Sequence, residues 1–378
     1  MGVFRGVELN DLVLAGDGLT LRPWRPADAD VVFEAMQHRR MHEFLPLPDP
    51  YTRADALAFT SGAGDEGRAD GTGIGGALVE TGSGRVVGSA ALRLPKPRHV
   101  TAEIGYAVYP AGQGHGYAAE ASRVLATWAF AHGIARVEIR CAVGNLASVK
   151  SALAAGFRFE GVLRQDVAVP GGSADGALFA RIPTDADRPI ARVVAPLPAA
   201  GLSDGVLTLR PLMPGDEISL GEQEGDALTR QWEFNSHTRT IADHAEQCSL
   251  ARLHWLVGPV LRCAVVDAAS GGYAGMINVR LLGPPQVGGV GYAVHPSFRG
   301  RGYTARALAL LREWAFADAG FARLELGAKI DNVASQKAAL SGGFQPDGVR
   351  VARLRNPDGT FSDEVRFAAV NPRIRPAG

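Results

Sequence analysis

Apolar residues along this chain alternate between two spacings. At residues 19–22 the order Leu-Thr-Leu-Arg has the period of two that predicts a strand, and residues 27–37 have the spacing of a helix. Residues 85–94 and 102–108 again read as strands, the second stopped by Pro110. From 117 to 132, Ala121, Val124, Leu125 and Trp128 recur at helical spacing and predict one buried stripe. A β-branched strand follows at 137–143, then a helix at 147–154 ended by Gly156 as its C-terminal cap. Strands near 162–169 and 176–182 close the pattern. Strand, loop, helix, strand, helix in that order predict a mixed α/β sheet whose ligands sit beside a strand-to-helix junction.

The pattern is written twice. Asp17-Gly18-Leu19-Thr20-Leu21-Arg22-Pro23 returns as Asp204-Gly205-Val206-Leu207-Thr208-Leu209-Arg210-Pro211, and Gly105-Tyr106-Ala107-Val108 as Gly291-Tyr292-Ala293-Val294. Trp128-Ala129-Phe130 matches Trp314-Ala315-Phe316, Asn145-x-x-Ser148 matches Asn332-x-x-Ser335, and Gly156-Phe157 matches Gly343-Phe344. The offset stays between 186 and 188 residues, the signature of a tandem duplication. Domains are expected at 1–185 and 202–378, joined by a proline-bearing, semi-extended linker at 186–201.

Composition narrows the picture. The 378 residues suit two domains of ordinary size, and 46% hydrophobic with 21% charged residues describes a globular chain. Lys+Arg and Asp+Glu are both 39, so nothing in the overall charge draws the chain to nucleic acid or an anionic membrane. Three scattered cysteines, Cys141, Cys248 and Cys263, make neither a disulfide framework nor a metal cluster. With no signal-peptide pattern and no apolar run near the ~20 residues of a membrane span, a cytoplasmic protein is expected. No His/Cys/Asp cluster predicts a metal, and no Gly-x-Ser-x-Gly elbow predicts a serine hydrolase.

The most informative segment runs from Tyr106 to Ala118. Pro110 ends a strand, Gly112, Gly114 and Gly116 strip side chains from the turn, and a helix begins at once. Unpaired N–H groups at a helix start, with the positive end of its dipole, form a site for a diphosphate. The second copy builds the same device from Pro296-Ser-Phe-Arg299-Gly300-Arg301-Gly302-Tyr303-Thr304, with two arginines added. A turn that merely reverses the chain would not need a strand before and a helix after it in both copies. The glycine spacing is not the Gly-x-Gly-x-x-Gly of dinucleotide folds.

Here the sequence resembles the GNAT superfamily of acyl-CoA N-acyltransferases, whose signature is Gln/Arg-x-x-Gly-x-Gly/Ala opening a helix. Gln113-Gly-His-Gly116-Tyr-Ala118 matches fully; Arg299-Gly-Arg-Gly302-Tyr-Thr304 departs at Thr304. Ile104-Gly105-Tyr106, Gly116-Tyr-Ala-Ala-Glu120, Asn145-x-x-Ser148 and Gly156-Phe157-x-x-Glu160-Gly161 are similar to the RimJ/RimL branch, which acts on ribosomal-protein N-termini. The resemblance implies an α/β fold of two tandem domains, each a mixed, mostly antiparallel twisted sheet flanked by helices.

It also implies an N-acetyltransferase that moves an acetyl group from acetyl-CoA to a primary amine of a small molecule or peptide N-terminus. Coenzyme-binding positions carry over to Val108, Gln113, Gly114, His115, Gly116, Tyr117, Ala118 and Asn145. In the second copy they are Val294, Arg299, Gly300, Arg301, Gly302, Tyr303, Thr304, Asn332 and Ser335. The N–H of Val108 would polarise the thioester, Glu103 would act as general base and Ser148 as the hydroxyl near the sulfur. Both Asn145 and Ser148 also read as helix N-caps, and Glu103 as a solvated carboxylate. The second copy has Gly289 where Glu103 stands, which favours the first as the catalytic half.

Around the acceptor, residues 37–60 and 228–250 diverge most between the copies, and His38, His42 and Glu43 either line a pocket or lie on the surface. A monomer or homodimer is expected. Two other readings use the same fold: an aminoacyl-tRNA donor held by clustered arginines (Arg22, Arg25, Arg39, Arg40, or Arg350, Arg353, Arg355), or a non-catalytic coenzyme-binding protein.

Overall fold

In the computed structural model, which describes every residue except 1–3, 5–7, 63–66, 69–70, 95–99, 193, 234–238, 357 and 375–378, the sequence repeat becomes two separate eight-stranded sheets. They belong to two units, Met1–Ala191 and Arg192–Gly378.

The N-terminal unit contains β1 (Leu14–Ala15), β2 (Leu19–Arg22), α1 (Ala29–Met36), α2 (Arg53–Thr60), β3 (Gly73–Glu80), β4 (Val86–Arg93) and β5 (Thr101–Val108). It continues through α3 (Tyr117–Ala131), β6 (Arg136–Ala142), α4 (Leu146–Ala154), β7 (Arg158–Val169) and β8 (Gly172–Arg181). Its strand order is β1-β2-β3-β4-β5-β6-β8-β7, antiparallel throughout except where β5 and β6 run parallel. The C-terminal unit repeats this with β9 (Leu202–Ser203), β10 (Leu207–Pro211), α5 (Glu217–Gly225), α6 (Ala227–Trp232), α7 (Ile241–Val257), β11 (Val260–Asp267) and β12 (Tyr273–Leu282). Then come β13 (Val287–Val294), α8 (Tyr303–Ala317), β14 (Arg323–Lys329), α9 (Val333–Ser341), β15 (Gln345–Arg355) and β16 (Phe361–Val370), with β13 and β14 as the one parallel pair.

The strands and helices expected from periodicity are present, with bounds shifted by a few residues. The expected stripe on α3 is rotated. Ala118, Ala121, Ser122, Leu125, Ala126 and Ala129 are buried, while Val124 and Trp128 are half-buried. The small residues let the helix approach the sheet, and Trp128 stacks at its edge on His132, 4.2 Å away, and against Phe4. Gly156 adopts φ +84° just beyond α4, the left-handed cap the sequence predicts. Phe157, Phe179 and Phe344 are fully enclosed, alongside Leu19, Leu21 and Ile104.

The segment expected as a linker is divided between the units. Ile190 N–H donates to the Leu153 carbonyl at 2.8 Å and Arg181 pairs with Asp187 at 2.9 Å, which ties 187–190 to the N-terminal unit. Val194 and Leu197 pack in the core of the C-terminal unit.

Candidate active site

The parallel ladder between β5 and β6 ends early. It pairs Thr101 to Ile104 with Arg136 to Ile139 and stops, although β5 continues to Val108. Beyond Gly105 the two central strands diverge and leave main-chain groups facing a gap. Tyr109 N–H donates to Val87 O on β4 at 2.8 Å, so strand alternation turns the N–H of Val108 the other way, into the gap. The C-terminal unit repeats this: its ladder ends at Gly289–Glu325, His295 N–H donates to Ala274 O at 2.9 Å, and Val294 N–H faces the opening.

The turn after β5 divides its glycines by task. A Cβ on Gly112 would stand 2.9 Å from Val87, so this glycine serves packing of the turn on β4. Gly114 and Gly116 adopt φ of +86° and +81°, and a Cβ on either would meet nothing within 4 Å. Their side of the loop is open. Among the described residues, no acceptor takes the N–H groups of residues 114–118; bonding resumes with Ala119 N–H to Gly116 O at 3.0 Å. Five donors and a helix start thus point at one place, which suits a phosphate. His115 Nδ1 lies 3.1 Å from Gln113 O, and its ring stacks on Tyr117. The Tyr117 hydroxyl donates to Glu80 and fixes the helix start to the end of β3.

In the C-terminal unit Gly300 and Gly302 have φ of +76° and +75° and the same open side. The two added arginines are otherwise engaged than expected. Arg299 pairs with Asp226 and donates to Thr229 Oγ1 at 2.9 Å, and this pairing holds the Asp226 carboxyl down to about 2. Arg301 donates to Ser297 O at 3.1 Å and lies 5.0 Å over the Phe298 ring. The matching Gln113 accepts from Arg40 at 3.1 Å, again across 73 residues. The pair Arg40–Gln113 has become Asp226–Arg299.

Asn145 acts as the capping reading predicts and Ser148 does not: Ser148 lies inside α4, and its N–H donates to Asn145 Oδ1 at 3.1 Å, as Ser335 N–H does to Asn332 Oδ1 at 3.0 Å. The serine hydroxyls have a partner that the sequence did not single out. Tyr106 Oη lies 2.8 Å from Ser148 Oγ, and Tyr292 Oη 2.8 Å from Ser335 Oγ. Burial raises both phenols above the ordinary tyrosine value, Tyr106 well above it, so each stays neutral. The signal was available in the repetition of Gly-Tyr-Ala-Val at nearly the same distance from Asn-x-x-Ser, 42 residues from Tyr106 to Ser148 and 43 from Tyr292 to Ser335. Replacing Asn145 by Ala should cost about 1 kcal/mol in chemical denaturation of the ligand-free protein, as loss of an N-cap does; a pure ligand contact would leave that curve unmoved.

Glu103 is half-buried on β5, within a cluster of three carboxylates around one guanidinium. Arg140 lies 2.9 Å from Glu138, 3.4 Å from Asp166 and 3.7 Å from Glu103. Glu138 is also held by Arg136 at 2.7 Å. Burial raises the Glu103 pKa above 4.5, Glu138 and Asp166 add to that, and Arg140 and Arg93 oppose it. The C-terminal unit keeps this frame but moves its parts. Glu325 replaces Glu138, yet its guanidinium comes from Arg366 on β16, because Arg140 has become Gly327 and Leu178 has become Arg366.

A cavity of about 850 Å³ lies in the C-terminal unit. It gathers Val294, Arg299, Gly300, Gly302, Tyr303, Thr304, Asn332 and Ser335, while Arg301 is not among its lining residues. Gly289 and Glu325 line it too. Of the N-terminal candidates for an acceptor pocket, His42 contacts Met36 O through Nε2 at 2.5 Å, and His38 Nδ1 accepts from Arg40 N–H at 3.4 Å. Arg22 is spent on Asp28 in a two-bond pair, as Arg210 is on Asp216. The three cysteines are buried free thiols. Among the described residues no His/Cys/Asp/Glu group is arranged to hold a metal, and no helix is long and apolar enough to cross a membrane.

The chain matches the family described as acetyltransferase (GNAT) domain twice, over residues 18–158 and 207–345. Similar solved structures include a ribosomal-protein-S5-alanine acetyltransferase from Vibrio fischeri, 20% identical, covering 45% of this chain and 96% of that one with a TM-score of 0.41. Mycobacterium smegmatis RimJ in complex with CoA-disulfide is 22% identical over 49% of this chain and 90% of that one, TM-score 0.41. Spermidine N-acetyltransferase from Vibrio cholerae, in complex with CoA and spermine, is 18% identical over 44% and 97%, TM-score 0.40. No curated protein matches the chain.

Proposed function

Since the chain belongs, through both halves, to the family of acetyltransferase (GNAT) domains, we propose that its N-terminal unit transfers an acetyl group from acetyl-CoA to a primary amine of a small molecule or peptide N-terminus, with Glu103 as base. Acyl-CoA-dependent N-acetyl transfer is the activity class that membership carries. The single observation behind the choice of half is the clustering of Glu103, Glu138 and Asp166 about Arg140 beside the strand gap. Arg136 and Arg140 both hold Glu138, whereas Glu103 meets Arg140 at 3.7 Å, and burial raises its pKa above 4.5.

The open N–H groups of residues 114–118 would receive the pyrophosphate, and the gap below them would receive the pantetheine arm. Acetyl-CoA supplies an activated thioester when bound. Val108 N–H points where a carbonyl oxygen can accept it, and one such donor is worth about 10²–10³ in rate in acyl transfer. Glu103, several residues down the same strand, would take the amine proton through water. The Ser148–Tyr106 hydroxyl pair would be the neutral donor system from which a departing thiolate is protonated. The C-terminal unit carries the same loop and the same Ser–Tyr pair without a carboxylate at position 289, which supports coenzyme binding there.

The reading is tested with the full chain. Acetyl-CoA with a panel of amines and peptides should release free thiol in at least one case, and calorimetry should register acetyl-CoA binding. Absence of binding together with no thiol release would overturn it.

A further inference from the structure

One charge arrangement in the C-terminal unit has no counterpart in the other. Strands β14 and β16 pair Lys329 with Glu364, where β6 and β8 pair Ala142 with Gly176. Both ionic residues line the 850 Å³ cavity. Opposite charges on directly paired strand positions have Cβ atoms about 5 Å apart and ordinarily join.

These two do not join. Lys329, 5% exposed, sends its ammonium to the Gln231 carbonyl at 2.8 Å. Burial lowers its pKa, with Asp358 acting against that shift. Glu364 turns instead into the space that Gly327 leaves open; a Cβ on Gly327 would collide with its Oε1. Its Oε2 is buried and accepts no hydrogen bond, and its charge is met by Arg350, the directly paired residue on β15, at 3.7 Å. An ammonium has three donors, and Lys329 uses one of them among the described residues. Buried charges left short of partners cost free energy, so neighbours that decline to satisfy each other are held for something else. Adjacent Glu325 does not fill the role, because Arg323 and Arg366 already hold it.

We infer that this cavity binds a small zwitterion of the amino-acid type, its ammonium on Glu364 and its carboxylate on Lys329. Gly289, Gly291 and Gly327 line the cavity and bring no side chains of their own to it. Leu228, Trp232 and Met276 supply apolar wall for a side chain. The inference does not depend on which half performs acetyl transfer, since it concerns binding alone.

Calorimetric titration of the full chain with each common amino acid tests it. At least one should bind, and for the best of them both its methyl ester and its N-acetyl derivative should bind at least about tenfold more weakly, since each removes one charge-assisted contact. These comparisons use the unaltered protein and so do not rest on any variant folding. Lys329→Gln should erase the preference over the ester, and Glu364→Gln the preference over the N-acetyl compound. Failure of every amino acid to bind, or an ester that binds as well as its parent, would overturn the inference. Neither result would bear on thiol release by the N-terminal unit.

Discussion

Glu103→Gln should lower thiol release by about 10²–10³-fold at neutral pH and leave acetyl-CoA affinity unchanged. The magnitude is that of a lost general base. Glutamine keeps the shape and the strand but cannot take a proton, and the residue lies away from the phosphate loop. The pH dependence separates this from a structural role. Burial and two neighbouring carboxylates raise the Glu103 pKa above 4.5, so in the parent protein kcat/KM climbs with pH through a limb displaced upward from that value. The limb should vanish in the variant. Stability has the opposite sign. A carboxyl whose folded pKa is raised contributes stability below its unfolded pKa and loses it as pH rises through the folded one. A side chain that never ionises is spared that loss, so Glu103→Gln should not destabilise the protein at pH 7. If turnover and stability fall together, Glu103 is an anchor for Arg140 and not a base.

The second large effect comes from the loops. Gly116→Val and Gly302→Val should each remove one coenzyme site, so that calorimetry falls from two molecules of CoA per chain to one in either variant and to none in the double variant. A β-branched residue at φ of +81° or +75° costs about 1–2 kcal/mol of backbone strain. Nothing in the protein lies within 4 Å of either new Cβ, so the fold has room for it. The side chain would instead occupy the open face where the loop N–H groups point. Retention of both sites in either single variant would show that the loop is not the phosphate cradle.

Much of this architecture is legible in the sequence because duplication supplies an internal control. A glycine turn seen once is ambiguous; the same turn between strand and helix at a constant offset is not. What escaped reading has definable causes. Strand β3, Gly-Ile-Gly-Gly-Ala-Leu-Val-Glu, is buried along nearly its whole length and so lacks the alternation that marks a strand. Helix α2 has a capping box at Thr52 and Asp55 but a weakly amphipathic body. The Tyr106–Ser148 contact depends on where two elements cross, which neither copy encodes alone and only the near-constant spacing of the repeat signals. The charge of the phosphate-loop arginines is visible in sequence, but their protein partners are not. Asp226, which holds Arg299, lies 73 residues away.

Glu103 itself is equally visible in sequence, but its setting is not. Arg140, Glu138 and Asp166 converge on it from β6 and β7, and only the fold shows that three acids gather about Arg140. In the same way Lys329 and Glu364 belong to no motif in the sequence, and only register places them opposite each other beside a cavity.

The relocation of one arginine from β6 in the first half to β16 in the second bears on how such a gene can change. Exchange of β6 for β14 alone would leave Gly opposite Leu178 in one unit, or Arg opposite Arg366 in the other, so a crossover between the two copies would yield a carboxylate with one guanidinium too few or a pair of facing cations. Only segments that carry both strands are interchangeable. Tandem copies ordinarily stay alike by recombining with each other; a relocated charge makes the products of that exchange misfit, and so protects the separate histories of the two halves.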